Sequence, residues 1–184
     1  MQLRIERLWD GSLADERYLL ELSVDDSTHE LVVAVDAPYF GDPLPAAARG
    51  SVANLYEYEV VELFVFGAGP RYLEVELGPG GHYLALTFDG VRARREDVAV
   101  AHQMLSVEPS RWRGEARVPA FALPPAASRV NAHAIHGHAP RRFLSAAPRA
   151  GSHPDFHRAD AAMQLEPTLA RKLDRAYKAL EAPG

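Results

Sequence analysis

Tyr72, Glu74 and Glu76 stand at alternate positions of the segment Tyr72-Leu73-Glu74-Val75-Glu76-Leu77. On an extended chain, side chains two apart share a face and lie roughly 6.5–7 Å from one another. Glu59 or Glu62, in the preceding apolar run, is placed to face them. A carboxylate cluster of this kind can bond sugar hydroxyls, hold a hard cation such as Ca²⁺ or another divalent metal, or work as a general acid/base pair. The plainer alternative is a solvated sheet face, because any polar face can show Glu-x-Glu. Five of the eight histidines, His133, His136, His138, His153 and His157, fall close together. On a strand, His136 and His138 share a face and could chelate a metal with His157 arriving from a loop. A structural or ligand-bonding role is the alternative. Arg141-Arg142 could grip a carboxylate or phosphate, or stand exposed and neutralise the acidic surface. No Gly-x-Ser-x-Gly, Gly-x-Gly-x-x-Gly or Walker sequence occurs, so no nucleophile elbow or phosphate loop is expected. No cofactor and no metal site is expected; Ca²⁺ or another divalent metal at such a cluster is the alternative.

Strands must position these groups. Tyr18 to Val24 alternates, with Leu20, Leu22 and Val24 on one face, and Glu30 to Asp36 follows after the turn residues Asp25-Asp26-Ser27. The pair reads as a hairpin. Tyr58 to Phe66 is the most apolar run and suits a central strand covered on both faces. Tyr72 to Leu77 alternates, and His82 to Phe88, Trp112 to Val118 and Arg129 to His136 are further strands. Arg92, Arg94 and Arg95 read as a solvated turn or edge strand. With Gly/Pro turns between them and no crossover helices, the strands pair antiparallel. One helix is expected, at about 167–181. Leu169, Leu173, Ala176 and Leu180 form its apolar stripe, Pro167 opens its first turn and Pro183-Gly184 ends it. Two segments, 36–56 and 140–160, are far longer than ordinary connections of about 4–6 residues. They carry Tyr39, Phe40, Tyr56, Phe143, His153, Phe156 and His157, so they either order around a ligand or plug an end of the fold.

The chain has 184 residues, 47% apolar and 24% charged, which fits one globular domain. Twenty basic against 25 acidic residues leave a net charge of −5, so nucleic acid and anionic membranes are not expected partners. Cysteine is absent, which excludes disulfides, thiolate metal sites and a cysteine nucleophile. The N-terminal Met1-Gln2-Leu3-Arg4-Ile5-Glu6-Arg7 lacks the form of a secretory signal, and no apolar run reaches the ~20 residues of a membrane span. A cytoplasmic location is the expectation.

The segments Leu55-Tyr56-Glu57-Tyr58-Glu59-Val60-Val61-Glu62-Leu63-Phe64-Val65 and Tyr72-Leu73-Glu74-Val75-Glu76-Leu77-Gly78-Pro79-Gly80-Gly81 resemble the core of the family 9 carbohydrate-binding modules, members of a DOMON-like superfamily of β-sandwiches. Arg129 to Gly137 is similar to the family's penultimate strand, and Pro154-Asp155-Phe156-His157-Arg158 to its closing loop. The likeness spans roughly residues 15–165. It is nearest to an uncharacterised group of free-standing proteins with this fold, which share Asp36-Ala37-Pro38-Tyr39-Phe40 and Pro154-Asp155-Phe156-His157. Family 9 modules hold a sugar between two tryptophans. Here Trp9 and Trp112 are the only tryptophans and neither stands at a clamp position. The matching neighbourhoods offer Tyr56 or Tyr58 on one side and Phe156 or His157 on the other.

The expected molecule is therefore an all-β, two-sheet antiparallel β-sandwich with a C-terminal α-helix, one domain over residues 1–184. Its expected role is a noncatalytic carbohydrate-binding-like domain recognising a saccharide or similar polyhydroxylated small ligand. Tyr56, Tyr58, Phe156 and His157 would supply ring contacts. Glu62, Glu74, Glu76, His136 and Arg142 would supply hydrogen bonds, with Tyr72 on the same face. The rival is a carboxylate- or metal-dependent hydrolase acting on a carbohydrate-like substrate. A third reading is an interaction module whose aromatic loops dock a protein.

Overall fold

A computed structural model describes residues 1–181. Thirteen strands precede one helix: β1 (Gln2–Leu8), β2 (Leu13–Asp25), β3 (Glu30–Pro38), β4 (Gly50–Ser51), β5 (Val60–Phe66), β6 (Tyr72–Leu77), β7 (His82–Phe88), β8 (Arg94–Asp97), β9 (Ala101–Val107), β10 (Arg111–Val118), β11 (Arg129–His136), β12 (Arg142–Ser145), β13 (Met163–Gln164) and α1 (Pro167–Glu181). The molecule is all-β with a C-terminal helix, as the alternation and the late apolar stripe predict. The expected stop at Pro183-Gly184 lies outside the described residues, as does the side chain of Leu180.

Where two sheets were expected, hydrogen bonding runs through one continuous path: β4-β7-β6-β5-β11-β12-β1-β2-β3-β10-β9. The short strand β12 joins its halves by pairing β11 on one side and β1 on the other. Every pairing is antiparallel except β4 with β7. The sheet curls so that one face of β5, β6, β7 and β11 meets one face of β1, β2, β3 and β10. Val61, Leu63, Val65, Leu73, Val75, Ala85, Ala132 and Ala134 pack there with Leu3, Ile5, Leu20, Leu22, Val33, Val35 and Trp112 in one cluster. Burying so many branched side chains at interior packing density is the main stabilising term. Helix α1 adds Leu169, Leu173 and Ala176 to that cluster, close to the turn Ala120–Ala122 and to β2. No helix among the described residues is long and apolar enough to cross a membrane.

Because side chains alternate along a strand, the other face of β5, β6, β7 and β11 carries a separate set. Val60, Phe64 and Phe66 of β5, Tyr72 of β6, Leu84, Leu86 and Phe88 of β7 and Ile135 of β11 form a second apolar cluster, covered by Leu55, Tyr58, Phe143 and Phe156. That second cover explains why β5 and β6 are buried along their whole length. The Tyr72/Glu74/Glu76 face is accordingly interior. Part of segment 36–56 acts as a plug. The backbone N–H groups of Phe40 and Asp42 donate to the Glu59 carboxylate at 3.2–3.3 Å, and Phe40 stacks on His136 at 3.7 Å. Burial pushes Glu59 up to about 7.

Candidate functional site

Antiparallel register sets Glu62 of β5 directly opposite Glu76 of β6, and Phe64 opposite Glu74. On the other side Glu62 faces His133 of β11. The three carboxyls are 2%, 5% and 1% exposed for Glu62, Glu74 and Glu76. Each offers an oxygen within 4.8 Å of the others, a spacing at which a cation could be held. Burial pushes Glu74 up to about 7. It lifts Glu62 and Glu76 well above the usual carboxylate range, and repulsion among the three adds to the effect.

A cavity of about 400 Å³ opens above them, toward the small end of the usual ligand-site range of about 300–1,000 Å³. Glu62 and Glu74 reach it from the sheet, and Glu76 lies beneath. Tyr56, Phe64, Phe143 and Phe156 supply aromatic wall, with Ile135 and Pro154 beside them, and Arg92 and His157 complete the lining.

The closing loop is fixed at several points. Arg92 bonds Asp155 at 2.9 Å. The Phe156 ring lies flat on His133, with centroids 3.8 Å apart. Tyr72 Oη and His157 Nδ1 are 2.7 Å apart, and the Arg92 backbone N–H donates to Tyr72 Oη at 2.9 Å. With that acceptor position filled, the phenol is placed to donate its own proton to Nδ1. This leaves the proton of the neutral ring on Nε2, 4.0 Å from a Glu74 oxygen. Burial, and then the Arg92 charge, hold His157 down to about 4, so the ring is neutral at physiological pH. Tyr72 in turn stacks on Phe88 at 4.4 Å, and burial raises its hydroxyl to about 12.

Of the residues expected from sequence, Tyr56, Glu62, Glu74, Phe156 and His157 meet at the cavity, backed by Tyr72 and Glu76. Tyr58 packs at the side of the second cluster and is not among the lining residues. His136 and Arg142 are elsewhere. On β11, Ile135 and His133 point to the cavity side and His136 to the opposite face, where its Nε2 lies 3.1 Å from Glu16. Arg142 also bonds Glu16, at 3.0 Å. The alternative of a His136–His138–His157 chelate has no shared strand face to rest on, because Gly137 ends the strand at φ 79° and His138 is exposed. Of the arginine pair, Arg141 is the one near the carboxyls. It donates to the Tyr56 carbonyl, stands over Phe143 and eases the Glu62 charge. Phe64, Arg92, Ile135 and Phe143 line the cavity although sequence reasoning did not give them a role there, and of the arginine pair it chose Arg142 as the ligand residue. Phe64 shares the parity of Glu62, which could have revealed it. Arg92 acts partly through a main-chain N–H, which no side-chain pattern signals.

Fold and site together define a β-sheet protein with a carboxyl-floored, aromatic-walled cavity of small-ligand size. No protein-family model matches the chain. The human UPF0462 protein C4orf33 is 34% identical over 169 residues, covering 85% of this chain and 83% of its own. The mouse homologue is 36% identical over 173 residues, covering 86% and 87%, and the zebrafish (Danio rerio) homologue 33% over 168, covering 86% and 85%. The chain belongs to the UPF0462 family. Among solved structures, a "putative carbohydrate-binding protein" from Bacteroides uniformis ATCC 8492 matches with a TM-score of 0.66 and 17% identity, covering 89% of this chain and 84% of that one. At that identity the likeness establishes the fold.

Proposed function

We propose that this UPF0462 protein is a noncatalytic binding protein for a saccharide or similar polyhydroxylated small ligand. The observation that carries the reading is the pairing of the buried carboxyls of Glu62 and Glu74 with the rings of Tyr56, Phe143 and Phe156 around one cavity of about 400 Å³. A sugar presents apolar C–H faces to rings and hydroxyls to directed polar groups, and such a lining answers both. The description of the Bacteroides uniformis protein points the same way. In this reading the curled sheet is a variant of the two-sheet sandwich of the family 9 modules and other DOMON-like domains, with tyrosine and phenylalanine where those modules use tryptophan. The hydrolase reading has less support. Glu62, Glu74 and Glu76 project from one face of one sheet and meet a guest from the same side, whereas a glycosidase's two carboxyls flank the scissile bond.

Calorimetric titration with a panel of mono- and disaccharides tests the proposal; silence across the panel at millimolar sugar overturns it. The arginine pair gives a finer check. Arg142→Ala leaves saccharide affinity within about twofold, because Arg142 bonds Glu16 away from the cavity. Arg141→Ala weakens it several-fold, because the guanidinium holds the Tyr56 carbonyl and so one wall. The reverse ranking would place the ligand on the Glu16 side.

A further inference from the structure

We infer that the Glu62–Glu74–Glu76 floor receives a primary ammonium group, so that the preferred guest is an amine-bearing polyol of the amino-sugar class. The inference rests on the saccharide reading above and narrows it. Buried carboxylates are stable when paired, coordinated or protonated. Among the described residues, no lysine or arginine lies within ion-pair distance of any of the three. Arg92 is bonded to Asp155, Arg141 to the Tyr56 carbonyl, and the neutral His157 ring is 4.0 Å from Glu74. Glu76 is 1% exposed, and its Oε2 has no hydrogen-bond partner. The Glu76 carboxyl bonds the Glu74 carboxyl and the Tyr56 backbone N–H, and a carboxyl–carboxyl bond needs a proton held by one of the two; under a cavity large enough for a small molecule, a guest cation can take the place of that proton.

The spacing admits an ammonium group. Three N–H···O bonds of about 2.8 Å, spread tetrahedrally from one nitrogen, place their acceptors about 4.6 Å apart. The three carboxyls offer oxygens within 4.8 Å of one another. Calcium takes about 6–8 oxygens, a number that the three acidic groups converging here among the described residues reach only if every carboxyl binds through both of its oxygens. Glu62 and Glu74 open onto the cavity, so an ammonium can reach the floor while the rest of its carrier lies between the rings.

The test is calorimetric titration at pH 7 with matched pairs, D-glucosamine against D-glucose and D-galactosamine against D-galactose, together with N-acetyl-D-glucosamine, ethanolamine and calcium chloride. The amino sugars bind at least tenfold more tightly than their neutral partners and than the acetylated form. Glu74→Gln, or Glu62→Gln as a second variant, reduces that preference to under threefold. Equal affinity for amino and neutral sugars overturns the ammonium assignment and leaves the saccharide reading standing. Binding of ethanolamine with every sugar silent supports the floor and overturns the saccharide reading. Calcium binding that the glutamine variants abolish, with no amine preference, overturns the assignment in favour of a metal.

Discussion

Glu74→Gln melts well above the wild-type protein at pH 8 and together with it at pH 4. In the fold, burial lifts the Glu74 carboxyl to about 7 from its ordinary 4.5. As pH rises, the unfolded chain therefore ionises this group first. Between those two values the folded state holds the extra proton, and stability falls with rising pH. By the top of the window the loss is on the order of 3 kcal/mol. For a chain of this length that is about 6–12 °C in Tm. Glutamine keeps the shape, is neutral throughout, and relieves the repulsion that Glu74 exerts on Glu62 and Glu76. Below pH 4.5 both carboxyl and amide are neutral, and the advantage disappears. Histidines work in the opposite sense. Burial holds His133 at about 3 and His157 at about 4, so their contribution to stability is lost as pH falls below 6.5. The His133 part of that loss is common to both proteins and cancels in the difference, whereas His157, 4.0 Å from Glu74, adds a contribution confined to pH below 6.5. Scanning calorimetry of wild type and variant from pH 4 to pH 8 measures the difference. A difference that is flat with pH, or of opposite sign at pH 8, would mean an ionised and compensated Glu74.

The same carboxyls show what the sequence could carry. Alternation placed β6 at Tyr72–Leu77 and put Tyr72, Glu74 and Glu76 on one face, as found. It did not show that face to be interior, because the cover comes from residues 143 and 156, far along the chain. A local pattern records which side chains share a face but not what lies over it. Parity sorted the later candidates as well. His133 and Ile135 point to the cavity side and His136 to the other, and the arginine that reaches the site is Arg141 rather than Arg142. The family resemblance pointed to His136 and the chemistry of the arginine pair to Arg142, neither with that parity. The hairpin of β2 and β3 was legible because Asp25 accepts from the N–H and hydroxyl of Ser27, fixing the turn locally. The join at β12 was not, since four residues carry too few alternations to be read as a strand, yet they make the sheet continuous. Strands β1 and β9 were also missed. In β9 the alternation is between exposed and half-buried positions, so little apolar signal remains.

Phe156→Ala abolishes measurable saccharide binding and raises the pKa of a histidine 23 positions away. The Phe156 ring covers His133 almost parallel, at 11°, and meets Phe143 edge-on at 6.3 Å. It is thus both the lid on a buried imidazole and one wall of the cavity. Burial holds His133 at about 3, with the neighbouring His157 adding to the effect. Removing the ring admits water, restores solvation of the charged form and lets the pKa climb toward the ordinary 6.5. Truncating a fully buried phenylalanine costs about 3–5 kcal/mol. Phe156 is half-buried, and Asp155 and His157 still tie the loop to Arg92 and Tyr72. The variant therefore folds, with a smaller loss, and NMR titration of its histidines is feasible. Phe156→Leu separates the two roles. An aliphatic side chain keeps water off His133, so the low pKa persists, but it offers no ring face to the C–H groups of a sugar, so affinity falls about tenfold or more. If leucine restored both properties, Phe156 would be a seal alone and the rings binding the ligand would have to be sought at Tyr56 and Phe143.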